Sequence, residues 1–460
     1  MPGDHAAGIK NERRDKFIEY LAEQWGIKDE ERRTWLKTDF DEWMQRKIVA
    51  KSVFPVWREP EMFKGSVAAD NYHTVISTNN GQVWTWGRGN NLQLGHGSVT
   101  EDQVVPKRVE AMATEDVAHV AAGENSTVAV TRTGEVWTWG SGDYGKLGHG
   151  QIRVVDVPRP VEALEGKGVV QVAVADTYMV AVTRTGDVWE WGQGSTGRLG
   201  HNTAASQLVP IKVKAIDGQQ AFDGQNVVQI AAGRQHTAAV TRKGEVWTWG
   251  YGPHGQINSS SYLESVERVP KRVEALVAKN VVQVAAGDMC TVALTSTGDV
   301  WAWGINYRGL LGLGDYDIII VKPTRVHALA GQHVVHVALG KHHTAALTST
   351  GAVWTWGLGS SGQLGHGDSA NYSVPKRVEA LNGAFVVAVD ANGWHTVAIT
   401  TRGEVYVWGD SIHRRLSRRL RVPTKLPNFN AVIGRTEPPT RNIADGSGPV
   451  ATLSLWPGFM

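Results

Sequence analysis

The sequence predicts an all-β protein, a seven-bladed β-propeller of four-stranded blades, with a short α-helical N-terminal extension. Three observations carry this expectation. GEVWTWG at 134–140 returns at 244–250, and near-copies stand at 81–87, 186–192, 298–304, 351–357 and 403–409, spaced 53, 52, 58, 54, 53 and 52 residues apart. Each copy belongs to a unit of four short apolar runs, as in VVQIAAG (227–233), HTAAVT (236–241), GEVWTWG (244–250) and VPKRVEAL (269–276). Four such runs separated by turn signals read as four strands. Seven units without distinct polar capping repeats favour a closed ring over an open solenoid.

From the N-terminus onward, residues 1–10 are expected to be disordered. Residues 11–50 lack the turn–strand rhythm, and Phe17, Leu21 and Trp25 fall at i, i+4 and i+8, a helical stripe. Gly26 ends that helix, Asp29 caps the next, and Trp35, Phe40 and Trp43 line one or two further helical stretches. This helical extension either caps the propeller or recruits a partner. The propeller itself spans 62–428. Its hairpins are marked by Arg-Thr-Gly (132–134, 184–186), Arg-Lys-Gly (242–244) and Ser-Thr-Gly (296–298, 349–351), where glycine supplies the positive φ of a tight turn. The fourth strand begins near a proline in every unit, at Pro106, Pro158, Pro210, Pro270, Pro323, Pro375 and Pro423. Proline suits a strand start or an edge. The AAG segment (121–123, 231–233, 285–287) is the smallest run, so it belongs at the crowded axis. VPTKL (422–426) is expected to finish the ring against the first repeat. Residues 429–460, rich in proline, glycine and polar residues, are expected to be a flexible tail.

The tryptophans of VWTW are two apart and point to one sheet face. Thirteen of the 19 tryptophans lie in this motif. Equal demand at seven equivalent places is what blade-to-blade packing requires, whereas chemistry would use one copy.

The pattern VVQVAAG–HT–ALT–GxVWxWG–GxxGQLGHG–VPKRVEAL, nearly whole at 334–381, resembles the regulator of chromosome condensation repeat family. The resemblance covers roughly 62–428 and implies the seven-bladed fold. Members include the nuclear exchange factor for the small GTPase Ran, the plant UV-B photoreceptor, a bacterial β-lactamase inhibitor and propellers of ubiquitin ligases. It therefore implies a protein partner, in small-GTPase or ubiquitin-linked regulation. Gly340-Lys341-His342-His343-Thr344 is similar to the exchange factor's GTPase-facing surface, which the resemblance carries onto His342. The acidic companion expected two repeats earlier is Gln235 here. The photoreceptor's loop tryptophans have one counterpart, Trp394.

Loops on a rigid scaffold are where function is expected. In the loop between the small strand and the HT strand, the first position reads Asn71, Glu124, Asp176, Arg234, Asp288, Lys341 and Gly393. The second reads Tyr72, Asn125, Thr177, Gln235, Met289, His342 and Trp394. These positions should ring one end of the propeller and face a protein partner. His73, His236, His343 and His395, like His96, His149, His201 and His366, stand at repeated places in separate blades and read as hydrogen bonders that fix loops. No metal site, cofactor site or nucleophile–base–orienter set emerges from the spacing, so the reading is a non-enzymatic scaffold. If the chain is active, nucleotide exchange fits better than bond-making chemistry.

Arg414, Arg415, Arg418, Arg419 and Arg421 crowd one loop of the last repeat. Such a cluster suits chromatin, nucleic acid, an acidic protein surface or nuclear import. A formal net charge of +2 gives no bulk pull toward nucleic acid or membrane. Cys290 is the single cysteine, so no internal disulfide forms. No apolar run approaches the ~20 residues that span a bilayer, and the first residues show no secretory h-region. Cytoplasm or nucleus is the expected compartment.

Overall fold

The computed structural model describes residues 65–213, 221–257, 266–314, 319–410 and 419–426. The expected disordered start, the helical extension (11–50), the tail (429–460) and Arg414, Arg415 and Arg418 lie outside those residues.

Seven antiparallel sheets succeed one another, each of four consecutive strands paired in chain order. In blade one the strands are Ser66–Ala69, His73–Ser77, Val83–Gly87 and Gln103–Arg108. In blade seven they are Val386–Asn392, His395–Thr400, Val405–Gly409 and Leu420–Lys425. Blades two to six cover 117–160, 169–212, 227–272, 281–325 and 334–377. First strands of adjacent blades touch all the way round, blade seven meeting blade one. The small AAG strand is thus innermost, as its crowding demands.

The alternation of VWTW divides its side chains between two seams. Ile76 and Trp86 of blade one pack on Val397, Ile399, Val405 and Val407 of blade seven. Val75 and Val83 of blade one pack on the other side, against Val117, Val120 and Trp139 of blade two. The second tryptophan is buried in all seven blades, at Trp86, Trp139, Trp191, Trp249, Trp303, Trp356 and Trp408. The first aromatic, nearer the rim, is half-buried except at Trp247. Packing therefore accounts for the motif, with the second indole the deeper filler.

The glycine of Leu-Gly-His, or of Leu-Gly-Leu in blade five, belongs to the same seam. Gly95, Gly200, Gly312 and Gly365 have φ of +74°, +67°, +74° and +76°, and a Cβ on each would lie 2.7–2.8 Å from the indole Nε1 of Trp139, Trp249, Trp356 and Trp408. Only glycine meets both demands.

The prolines lie on edge strands, as expected, but inside the outer strands and not at their starts. In blade one Thr85 pairs with Lys107 and Gly87 with Gln103, so Pro106 sits in a bulge opposite Trp86. A bulge is where a missing N–H costs least.

The inner strands would leave a bare edge toward the axis. Glutamines close it. Gln171 donates to Ile230 O (3.2 Å) and accepts from Ile230 N (3.1 Å). Gln229 does the same to Val284 (3.0 and 2.8 Å), and Gln283 to Val337 (3.0 and 3.0 Å). His119 continues the ladder to Val172 O at 3.1 Å. Blade seven has Ala388 in this place, and Asp390 instead accepts from Ala69 N at 2.7 Å across the closing seam. Among the described residues no strand is exchanged there. The VPTKL strand pairs within its own blade, and Leu420 and Leu426 meet the core that holds Ile76 and Trp86.

Candidate functional site

Alternating strand direction puts the first-to-second and third-to-fourth loops at one end of the ring. The hairpins and the 3-10 turns that lead to the next blade lie at the other. At the loop end one backbone bond recurs in every blade. The N–H after the WG step donates to the carbonyl of the second loop position: Arg88 to Tyr72 (2.7 Å), Ser141 to Asn125 (2.7 Å), Gln193 to Thr177 (2.9 Å), Tyr251 to Gln235 (2.9 Å), Ile305 to Met289 (2.9 Å), Leu358 to His342 (2.9 Å) and Asp410 to Trp394 (3.0 Å). The loop backbones are held alike while their side chains differ.

First-position side chains meet across the ring. Asp176 Oδ2 lies 4.0 Å from Arg234 Nε of the next blade and 4.0 Å from Lys341 Nζ of blade six. The Asp176 charge also acts on Glu124 of blade two. Beneath them, buried Lys146 donates to Glu124 O (2.6 Å) and Asp176 O (2.9 Å). Burial pushes the Asp70 carboxyl up to about 7. Burial and the Asp176 charge raise Glu124, and burial raises Asp288. Burial lowers the Lys146 ammonium. Desolvation outweighs the attraction of the local cations at each of these three acids.

Second-position residues form a different surface. Arg88 lies over the Tyr72 ring at 4.6 Å. The His342 ring packs on Trp394, tilted by 52° with ring centroids 4.7 Å apart. Trp394 is 36% exposed, a large share for an indole in this chain. Burial lowers His342, so its imidazole is neutral at neutral pH. Thr177 accepts from the Arg198 guanidinium at 3.0 Å. Asn71, Asn125, Gln235 and Met289 are half-buried, and Gly393 is buried against Asn71. The ring thus has a charged centre and an aromatic arc over blades six, seven and one.

The histidines before the HT threonines lie in the seams instead. His73 meets Thr127 at 2.7 Å, His236 meets Thr291 at 2.9 Å and His343 meets Thr396 at 2.8 Å, each in the next blade. Burial pulls all three imidazoles down to about 3. His96, His149 and His366 bond Thr85, Thr138 and Thr355 of their own blades. Among the described residues no group of three or more His, Cys, Asp or Glu is placed to hold a metal. No helix among them is long and apolar enough to cross a membrane.

Of the basic cluster, Arg419 and Arg421 are exposed, and Arg419 donates to Ser360 O of blade six at 3.2 Å. Sequence reasoning missed the groups beneath the ring. Lys146 and Arg198 occupy the glutamine place of GQLGHG, held by Gln93, Gln256 and Gln363 elsewhere. That departure from the repeat was the available signal.

Residues 101–436 match the RCC1-like domain, and residues 66–93 match the regulator of chromosome condensation (RCC1) repeat. The chain is 34% identical over 351 residues to the ultraviolet-B receptor UVR8 of Arabidopsis thaliana, covering 76% of this chain and 78% of that one. It is 35% identical over 342 residues to the E3 ubiquitin-protein ligase HERC2 of Homo sapiens, covering 74% of this chain and only 7% of the ligase. The crystal structure of Prp20p from Saccharomyces cerevisiae shares the fold, with a TM-score of 0.66 at 23% identity over 80% of this chain and 88% of that one.

Proposed function

This chain belongs to the RCC1-like domain family, and from that premise we propose that it is a protein-interaction scaffold presenting its loop ring to a protein partner. One observation carries the reading: a backbone bond identical in seven loops holds side chains that differ from blade to blade. Rigid presentation lowers the ordering cost of binding, and the exposed Trp394 is the residue type that anchors interfaces. The partner belongs to small-GTPase or ubiquitin-linked regulation, in nucleus or cytoplasm. The double variant Trp394→Ala, Lys341→Glu tests this by partner capture, with circular dichroism as the fold control. Intact structure with weakened capture is expected; undiminished capture removes this face from the reading.

A second reading is nucleotide exchange on a Ran-like GTPase, favoured by neutral, half-exposed His342 in the aromatic arc. Prp20p is described with its binding to Gsp1p and histones. An exchange factor works by preferring the nucleotide-free GTPase. Release of fluorescent GDP from Ran, accelerated by the native chain and not by His342→Ala, is the expected result under this reading. Chromatin tethering through Arg419, Arg421 and the neighbouring arginines is a weaker third, and it requires steeply salt-dependent binding. UV-B perception has the least support, because the ring packed against Trp394 is an imidazole and not a second indole.

A further inference from the structure

At the end opposite the loop ring, the residue after the hairpin glycine is acidic in five blades: Glu135, Asp187, Glu245, Asp299 and Glu404. Four of these carboxylates pair with a cation near the end of their own outer strand. Lys212 lies 2.8 Å from Asp187, Arg272 3.6 Å from Glu245, Arg325 2.5 Å from Asp299 and Lys425 2.6 Å from Glu404. Each of these cations stands opposite the first aromatic of the motif, in the register that also pairs Trp354 with Arg377 in blade six.

Blade six keeps the cation and loses the acid. Ala352 stands where the carboxylate would be. Arg377 donates to Asn382 Oδ1 at 3.1 Å, and among the described residues no carboxylate pairs with it. Glu379 does not substitute, although its counterpart Glu274 reaches Arg272 at 2.9 Å. A cavity of about 190 Å³ opens at this place, lined by Ala352, Val353, Arg377, Leu381, Asn382 and Phe385. Phe385 is 39% exposed, at a position held by Gly168, Asn226, Asn280 and His333 in other blades. One blade therefore combines an unmatched guanidinium, a void in place of the matching side chain and an exposed aromatic wall.

We propose that this pocket docks an acidic segment of a protein partner. A glutamate or aspartate side chain of the partner supplies in trans the carboxylate that Ala352 lacks, and the neighbouring apolar side chain lies on Phe385 and Leu381. Blades four and five display the geometry of the bond, a charge-assisted contact between a planar guanidinium and a carboxylate, and blades three and seven make the same pair with a lysine. The site lies on the opposite end from the loop ring, so both faces can be occupied together.

The probe is a capped peptide alternating leucine and glutamate, compared with its glutamine twin, observed by ligand-detected NMR with the full chain. The glutamine twin should bind about tenfold more weakly, the usual worth of a charge-assisted hydrogen bond. Arg377→Gln should cause the same loss. Ala352→Glu restores the internal pair, fills the pocket and should abolish binding with no loss of thermal stability. Phe385→Asn should weaken both peptides. Equal binding of the two peptides, or binding undisturbed by Ala352→Glu, overturns the proposal, as does no binding of the glutamate peptide at millimolar concentration. Trp394→Ala should leave this binding unchanged, which separates failure here from failure of the loop-ring reading.

Discussion

Blade three breaks the repeat at one buried position, and the break should be measurable as a dependence of stability on pH. Thr85, Thr138, Thr248 and Thr355 donate to main-chain carbonyls of their own blades at 2.6–3.0 Å. Blade three has Glu190 there, fully buried, accepting from Trp249 Nε1 at 3.1 Å in the seam with blade four. Tyr178 and His201 are the other titratable groups that face it. Burial pushes its carboxyl from 4.5 up to about 8. The folded chain therefore holds a proton that the unfolded chain releases, so this group's stabilisation is complete below 4.5 and is lost as pH rises toward 8. The slope is about 1.4 kcal/mol per pH unit. Buried histidines such as His73, His236 and His343 act in the opposite sense, because their folded values are depressed, but only below their ordinary value of 6.5. Asp70 titrates near 7 in native and variant chains alike and cancels in the comparison. Between pH 6.5 and 8 the native chain should thus lose about 2 kcal/mol more than Glu190→Gln, which keeps the acceptor for Trp249 without the charge. Urea unfolding at four pH values in that window, followed by tryptophan fluorescence, measures both curves. Parallel curves would refute the reasoning.

Three further outcomes are expected. Gly312→Ala, which drives a Cβ to 2.7 Å from the Trp356 indole at φ +74°, should cost about 2–4 kcal/mol from strain and overpacking. Gly97→Ala has nearly the same φ, +75°, but open space around it, and should cost only about 1 kcal/mol in thermal unfolding. Gln229→Ala strips both partners from Val284 and should cost about 1–3 kcal/mol, with faster hydrogen exchange at the Val284 amide. Trp356→Ala should cost about 3–5 kcal/mol and Trp394→Ala less than about 0.5, a contrast that separates seam filler from surface anchor by denaturation alone.

The blades were legible because their forces are local and repeated. GEVWTWG announces a buried indole by its spacing, and AAG announces the axis by its size. The candidate loops were legible as positions, yet their grouping was not. Asp176 and Lys341 sit in blades three and six and meet only because the ring closes. In sequence the glutamines at 171, 229 and 283 are single polar residues within apolar runs. Their role appears only when the neighbouring inner strand is seen to lack a hydrogen-bonding partner on its axial side. His236 and its equivalents read in sequence as hydrogen bonders that fix loops, and only the closed ring shows that the threonine they reach belongs to the next blade. Ala352 is silent in the sequence until Arg377 is known to face it.

Six of the seven seams are crossed by the chain itself, which runs from the outer strand of one blade through a turn into the inner strand of the next. The seam between blades seven and one has no such covalent tie. Among the described residues, the Asp390 bond to Ala69, a contact of His395 Nε2 with Thr74 Oγ1 at 3.5 Å and one side-chain cluster hold it. Tension applied to the two ends of the ring therefore falls on that seam first, as on the clasp of a bracelet. The lifetime of the closed ring under load is set there, whatever the equilibrium stability of the other six.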